Sequence, residues 1–162
     1  MFIFESHEIY NFRSFLLGSS DSSKECRVDI KEFGGELMPA WKSYLRGLLE
    51  KHYDKSGVLY VVDITNSSQI SQVGVHLIET VQSFEKLRKT STRILIVFSK
   101  TDLLDACSRN KVLTEFKNLL RLEYLSNWCK FCSIEATEFS AVTEEGLARI
   151  VLWLRNFGSN SS

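Results

Sequence analysis

The stretch GVLYVVDI, residues 57–64, decides the fold. It is a short, continuous apolar run that is rich in Val, Leu, Ile and Tyr. RILIVFSK (93–100) has the same character, and FCSIEATEFSA (131–141) is a third run. A strand that is buried on both faces of a parallel sheet has this composition, because helices cover both of its faces. The runs therefore predict neighbouring strands of a parallel sheet.

Helical patterns separate these strands. Apolar residues recur every three or four positions over 70–84, 112–128 and 147–154, which is the spacing of one buried helix face. Asn66 and Ser67 are good N-terminal caps for the first of these helices. The alternation of strands and helices predicts an α/β fold with a mostly parallel sheet. In such sheets ligands bind at the carboxyl ends of the strands, so the residues that follow each strand are site candidates.

Two of the loops that follow strands carry suitable side chains. The loop after the second strand reads SKTD (99–102). The Asp102 carboxylate can accept two hydrogen bonds from the N–H edge of guanine, a donor pair that adenine lacks, and the stem of Lys100 can lie along the base. After the third strand, Ser140 and Ala141 are small enough for the backbone to approach a base closely. Taken alone, each loop is also compatible with an ordinary solvated turn.

A third candidate lies upstream. CRVDIKEF (26–33) is a predicted strand that runs into Gly34 and Gly35. Adjacent glycines permit close approach of the backbone to a ligand such as phosphate. A simple turn from the strand into a helix that begins at Glu36 is the alternative.

The order of these motifs resembles the Ras-like small GTPases and, within them, the Arf-like branch. Members of that branch carry an Asp-x-Gly-Gly-Gln sequence after the third strand, then a Pro-x-Trp sequence, and then a strand that ends in Val-Val-Asp. This chain reads EFGGE (32–36), then PAW (39–41), Tyr44 and LYVVDITN (59–66). The match covers about residues 26–157, and the motifs are specific in combination. The resemblance implies a Ras-like P-loop NTPase type of three-layer fold.

The resemblance assigns one group of residues to a guanine base. Lys100 and Asp102 would bind the base, and Ser140 and Ala141 would back it. Ser99 stands where the family has an Asn whose amide ties this loop to the P-loop. Because a hydroxyl side chain is shorter than that amide, we expect a lower affinity for the base.

The resemblance assigns a second group to phosphate and metal. Gly35 would offer its backbone N–H to the γ-phosphate, and Glu32 stands where an Asp reaches Mg2+ through water. The implied cofactors are therefore GTP or GDP and Mg2+. Glu36 replaces the Gln that orients the attacking water, and a carboxylate cannot donate to the transferring phosphoryl group. We therefore expect no catalytic residue at that position, and GTPase activity rests on the resemblance alone.

Residues 16–25, LLGSSDSSKE, nearly spell a phosphate-binding loop. Gly18 and Lys24 have the P-loop spacing, which is Gly, four residues, Gly, Lys and then Ser or Thr. However, Ser23 replaces the second Gly, and Glu25 replaces the hydroxyl residue that would hold Mg2+. A carboxylate at that position would repel phosphate.

The spacing of the chain also argues against a P-loop there. A P-loop introduces a helix and a further strand, and such a βαβ unit needs roughly 30 residues. Too few residues separate Gly18 from Glu32 to hold one. We therefore favour a β-hairpin in which NFRSFLL (11–17) and CRVDIKEF (26–33) are antiparallel strands, like the interswitch hairpin of Arf-like proteins.

It follows that the chain is expected to begin inside the family domain. Residues 1–25 would be an atypical N-terminal segment with the first part of the hairpin, 26–157 the remaining Arf-like domain, and 158–162 a flexible tail. The fold would lack the first strand, the P-loop and the first helix, and loss of the central first strand would leave sheet edges unpaired. A shortened isoform or an incomplete gene model would account for this. RGLLEKHYDKS (46–56) is longer than the family's connection at that point.

Composition narrows the functional classes. The 162 residues include 20 basic and 20 acidic side chains, a balance that gives no support for nucleic-acid binding. There is no apolar run of about 20 residues for a transmembrane segment, no signal-peptide pattern, and no myristoylation site at this chain start, because residue 2 is Phe. The four cysteines are then expected as reduced thiols, which favours a cytoplasmic location. For the C-x-x-C of Cys129 and Cys132, we expect packing rather than a redox or metal site.

Two functions are compatible with these observations. The first is an Arf-like GTP-binding molecular switch in membrane or ciliary traffic, with nucleotide binding impaired in this chain. The alternative is a non-hydrolysing pseudo-GTPase or truncated isoform that acts as a protein-interaction module through the hairpin and a helix over 39–53. Either function implies effector or regulator proteins as partners.

Overall fold

One six-stranded sheet organises the chain. The computed structural model describes residues 2–5, 13–17, 26–32, 56–87 and 92–159, together with Ala40, Trp41, Ser43 and Gly47, whose backbone is helical. Its strands are β1 (Phe2–Glu5), β2 (Arg13–Leu17), β3 (Cys26–Glu32), β4 (Ser56–Asp63), β5 (Thr92–Ser99) and β6 (Cys132–Glu138). The α-helices within these ranges are α1 (Ile70–Leu87), α2 (Ala106–Leu119), α3 (Leu122–Trp128) and α4 (Leu147–Ser159). Two 3-10 turns cover Ser67–Gln69 and Thr101–Leu103.

The parallel half of the sheet is formed by the strands that the apolar runs predict. The strand order is β2-β3-β1-β4-β5-β6. β4 pairs parallel to β5, with Val58 opposite Ile94, and β5 pairs parallel to β6, with Ile94 opposite Ile134. α1 connects the first pair, and α2 and α3 connect the second. The predicted α/β class is therefore confirmed.

β1, which replaces the family's first strand, corrects the expectation of unpaired sheet edges between β3 and β4. It lies between them and is antiparallel to both, with Phe2 opposite Glu32 on one side and Leu59 on the other. The sheet is consequently mixed, with three antiparallel and two parallel pairs. A strand in this position satisfies backbone N–H and C=O groups that would otherwise be unpaired. The direction of a strand cannot be read from its residue pattern, because the pattern reads alike in both directions.

The predicted hairpin is confirmed by the pairing of β2 and β3. They are antiparallel, with Leu17 opposite Cys26 and Arg13 opposite Ile30. Residues 18–25, which connect the two strands, lie outside the described residues. The predicted domain boundaries stay predictions.

α4 continues to Ser159, so it includes Gly158 and Ser159, whereas residues 160–162 lie outside the described part of the chain. The predicted flexible tail over 158–162 stays a prediction.

The larger part of the core lies on one face of the sheet. The β4 and β5 side chains on this face pack against α1, α2 and α3. Leu77, Val81 and Phe84 of α1 are almost completely buried, as the predicted helix face requires. The Trp41 ring packs near Tyr60, with ring centroids 6.0 Å apart. Burial of Leu77, Val81 or Phe84 contributes roughly 1.5–3 kcal/mol to the stability of the fold, before the entropy cost of folding is subtracted.

α4 covers the opposite face of the sheet and completes three layers. Leu59, Leu95, Val97, Trp153 and Leu154 form a buried cluster there. The guanidinium of Arg93 lies 5.4 Å from the centroid of the Trp153 ring and also pairs with Glu135, at 2.7 Å. The Trp153 side chain therefore anchors α4 to β5, and Arg93 links this contact to β6.

The C-x-x-C segment joins α3 to β6. Cys129 follows the last residue of α3, Cys132 is the first residue of β6, and a disulfide joins them, which corrects the expectation of reduced thiols. The tight turn brings their Cα atoms to 5.7 Å, within the range that a disulfide spans. Cys129 is buried in the core, in line with the packing role. Within the described ranges, no group of three or more His, Cys, Asp or Glu side chains is placed to hold a metal ion.

None of the helices in the described part of the chain has the length and apolar character needed to span a membrane.

Replacing Trp153 with Ala should lower the free energy of unfolding by roughly 3–5 kcal/mol, because it opens a large cavity between α4 and the sheet. Urea denaturation followed by circular dichroism measures this change. Leu152→Ala is the matched control on the same helix, since 56% of Leu152 is exposed, and it should cost well under half as much. Equal losses in the two variants would contradict the anchoring role of Trp153.

Candidate functional site

Three strand ends meet at one edge of the parallel sheet. Asp63, Ser99 and Glu138 are the last residues of β4, β5 and β6. The residues that follow β4 and β6 are each tied to the end of β5 by a backbone hydrogen bond, from Ile64 N to Ser99 O at 3.4 Å and from Phe139 N to Phe98 O at 2.8 Å. The polar side chains that follow the strands are therefore held next to one another.

The loop after β5 turns sharply at Lys100. Lys100 has φ 63° and ψ 35°, a left-handed conformation, and the 3-10 turn Thr101–Leu103 follows it. Thr101 is buried, and its N–H donates to Phe139 O at 3.4 Å, which ties this loop to the loop after β6. Lys100 and Asp102, on either side of this buried anchor, are exposed.

Ser140 connects the two predicted base loops. Its Oγ donates to Asp102 Oδ1 at 2.6 Å and accepts from the N–H groups of Val142 and Thr143 at 3.2 and 3.1 Å. Ser140 is completely buried and Asp102 is exposed, so this bond joins the buried part of the loop to its surface. An ionised carboxylate has two oxygens with about four acceptor positions. Asp102 can therefore keep its bond to Ser140 and still accept hydrogen bonds from a ligand.

Asp63 holds the side chain of Lys100. The Lys100 Nζ lies 2.5 Å from Asp63 Oδ2, while Asp63 Oδ1 accepts from the N–H of Thr65 at 2.9 Å and from its hydroxyl at 2.6 Å. Burial acts to raise the pKa of Asp63. The hydrogen bonds from Lys100 and Thr65 outweigh burial and hold the pKa below its ordinary value. The Lys100 side chain thus extends across the edge of the sheet towards β4.

Ser99 is tied to the sheet. Its hydroxyl donates to Val62 O at 3.2 Å, whereas the resemblance assigns the residue at this position to contact with a P-loop. The role of Ser99 near a nucleotide stays a prediction, as does the backing role of Ala141, which is exposed.

Among the predicted phosphate and metal residues, Glu32 lies within the described part of the chain, and it is separate from this cluster. Glu32 is exposed at the end of β3 and lies level with Leu59, four residues before Asp63, which corresponds to about 13 Å along a strand. Gly35 and Glu36 lie outside the described residues. The assignments of Glu32 to Mg2+, Gly35 to phosphate and Glu36 to the Gln position stay predictions.

The structure adds residues that the sequence did not single out. Arg109 of α2 contacts the carboxylates of both Glu138 and Glu145, which flank the loop after β6. Gly146 has φ 83°, and a Cβ atom there would lie 1.9 Å from Glu138 O. The glycine just before α4 is visible as a turn signal in the sequence. The ion pairs are not, because Arg109 lies far from both carboxylates along the chain.

Comparison with known proteins identifies the family of the chain. The model of the ADP-ribosylation factor family matches residues 21–157. The chain belongs to the ADP-ribosylation factor family. One relative of this Arf-family chain is the human ADP-ribosylation factor-like protein 16, which is 31% identical over 136 residues, or 84% of the chain. The matched region spans 61% of the length of that relative.

Replacing Gly146 with Ala should lower the free energy of unfolding by about 1–3 kcal/mol, because a side chain would be strained at positive φ and would collide with the Glu138 carbonyl. Gly74→Ala in α1 is the matched control. A Cβ there meets Leu120 at an ordinary 3.8 Å, so this variant should be neutral or more stable by up to roughly 1 kcal/mol. Urea denaturation compares the two, and a stabilised Gly146→Ala variant would contradict the described turn.

The Asp63–Lys100 pair should make the free energy of unfolding depend on pH in the acid range. Because the folded pKa of Asp63 is lowered, its stabilisation is present above its unfolded pKa of about 4 and is lost as the pH falls through the folded pKa. The unfolding free energy of Asp63→Asn should therefore fall less steeply between about pH 5 and pH 3. Lys100→Gln should likewise reduce the pH dependence of the unfolding free energy over the same range, since Lys100 is the principal partner of Asp63. Denaturation curves at a series of pH values test this, and identical pH slopes for all three chains would refute it.

Proposed function

We propose that this Arf-family chain recognises a guanine base at the edge formed by β4, β5 and β6. The hydrogen bond between Ser140 and Asp102 carries the proposal, because it orients a carboxylate at the carboxyl ends of parallel strands. Guanine offers two neighbouring N–H donors to such a carboxylate, and adenine does not. The Lys100 stem, which Asp63 anchors, would flank the base.

We expect the phosphate groups of a nucleotide to contribute little to its affinity, and the direction of β1 supports this. In the family, as the resemblance implies, a P-loop follows the central strand. β1 occupies the central position but is antiparallel to β4, so its last residue, Glu5, pairs with Ser56 at the beginning of β4. β1 therefore ends at the edge of the sheet opposite Asp63.

The ends of β2 and β3 that flank residues 18–25 are also remote from the base loops. Leu17 pairs with Cys26, and Cys26 is the first residue of β3. β3 runs in the same direction as β4, since both are antiparallel to β1. Leu17 and Cys26 consequently lie at the edge opposite the base loops.

The biological role that we propose is that of an Arf-like guanine-nucleotide switch in membrane or ciliary traffic, in the cytoplasm, with effector or regulator proteins as partners. GTP or GDP with Mg2+ would be its ligand, bound with impaired affinity. The direction of β1 and Glu36 at the Gln position favour a second candidate, a non-hydrolysing pseudo-GTPase that acts by binding proteins.

A nucleotide titration tests the base site. Guanosine, adenosine, GTP and ATP are each tested as competitors of a fluorescent guanine nucleotide in the presence of Mg2+. We expect no saturable GTP binding at micromolar concentration, similar weak affinities for guanosine and GTP, and a preference of about tenfold for guanine over adenine. Asp102→Asn should abolish that preference.

Asp105→Asn is the matched control for this titration. Asp105 caps α2 by accepting from the N–H groups of Cys107 and Ser108, and Asn caps helices equally well. This variant should retain the guanine preference. Equal binding of guanosine and adenosine by the unaltered chain would overturn the base site, whereas Mg2+-dependent micromolar affinity for GTP would overturn the impaired phosphate contribution.

A further inference from the structure

The guanidinium of Arg109 bridges two carboxylates. Its Nε donates to Glu138 Oε2 at 2.9 Å, and its Nη2 lies 2.8 Å from Glu138 Oε2 and 2.8 Å from Glu145 Oε1. The Arg109 side chain is largely buried, with 22% of its surface exposed. These contacts join the first turn of α2 to the end of β6 and to the turn that precedes α4.

The two carboxylates flank the loop that carries Ser140. Glu138 is the last residue of β6, and Glu145 lies just before α4. Between them, the Ser140 N–H donates to Glu145 O at 3.1 Å, and the Ser140 hydroxyl accepts from Val142 and Thr143. The loop is thus closed on itself around the side chain that holds Asp102.

This closed loop needs an external tie. Glu144 has φ 59° and Gly146 has φ 83°, and a non-glycine residue in the left-handed region persists only where the surroundings hold it. Without a cation between them, Glu138 and Glu145 would also repel each other. The planar guanidinium of Arg suits two carboxylates at once, whereas the ammonium of Lys is a point charge that does not reproduce this fork.

We infer that Arg109 is a positioning residue of the candidate base site. It clamps both ends of the loop after β6, so that Ser140 remains buried and keeps the Asp102 carboxylate oriented at the strand ends. Arg109 itself would not touch the base. The inference rests on the proposed function only for the identity of the ligand.

Hydrogen exchange of the ligand-free full chain tests the clamp directly. In Arg109→Gln, the amides of Ser140, Val142 and Thr143 should exchange about tenfold faster, because the loop opens more often. Lys111→Gln is the matched control, since Lys111 is an exposed cation on the same helix, and it should leave these amides unchanged. Arg109→Lys should give an intermediate rate. Amides in the centre of β5 should not change, which excludes general unfolding.

Guanosine competition then tests the effect on the site. Arg109→Gln should weaken guanosine binding by about tenfold, and Glu145→Gln should weaken it less. If Arg109 acts through Glu145, the double variant should bind about as weakly as Arg109→Gln alone, rather than as the product of the two effects.

The two measurements separate failure of the clamp from failure of the proposed function. Unchanged exchange in Arg109→Gln would overturn the clamp, whatever the protein binds. Accelerated exchange in that variant, with no guanine preference in the unaltered chain, would support the clamp and overturn the proposed ligand. Multiplicative losses in the double variant would overturn the assigned coupling through Glu145.

Discussion

Parallel pairing of β4, β5 and β6 is the constraint on which the rest of the structure depends. These strands contribute residues to the cores on both faces of the sheet. The residues on one face pack against α1, α2 and α3, and those on the other face pack against α4. Because these strands are parallel, their carboxyl ends lie at one edge of the sheet, and the loops that follow them are brought together there. Asp63, Ser99 and Glu138 end at that edge for this reason. The candidate site is thus a consequence of strand direction before any particular side chain is considered.

The polar side chains at this edge then determine its chemistry. Asp102 is oriented by Ser140, Lys100 by Asp63, and the loop between β6 and α4 by Arg109. A polar network whose members satisfy one another is rigid, and its electrostatic interactions are stronger where water is excluded. The exposed carboxylate of Asp102 is therefore held in place by its hydrogen bond to the buried side chain of Ser140. An aspartate on an unsupported loop would have to be ordered when the ligand binds, at a cost in affinity.

The central strand of this sheet does not point towards the base loops. In the family, as the resemblance implies, the central strand leads into the P-loop. β1 supplies hydrogen bonds to both β3 and β4, and the sheet is continuous as a result. Because the direction of β1 is reversed, its last residue, Glu5, lies at the edge opposite Asp63. Continuity of the sheet and completeness of a nucleotide site are therefore different requirements. The first needs only a strand that pairs on both sides, whereas the second needs that strand to point towards the ligand.

The sequence by itself determined the α/β class, the three parallel strands, the helices between them and the hairpin of β2 and β3. These features depend on local residue patterns and spacing, which a single chain displays directly. It also placed Asp102 and Ser140 in loops that follow strands. Only the tertiary structure decided the direction of β1, the disulfide between Cys129 and Cys132, and the partners of Arg109. The direction of β1 and the partners of Arg109 depend on which distant segments meet, and a residue pattern records neither strand direction nor long-range contact. The disulfide joins residues only three apart, and it depends on the turn that brings their Cα atoms to 5.7 Å.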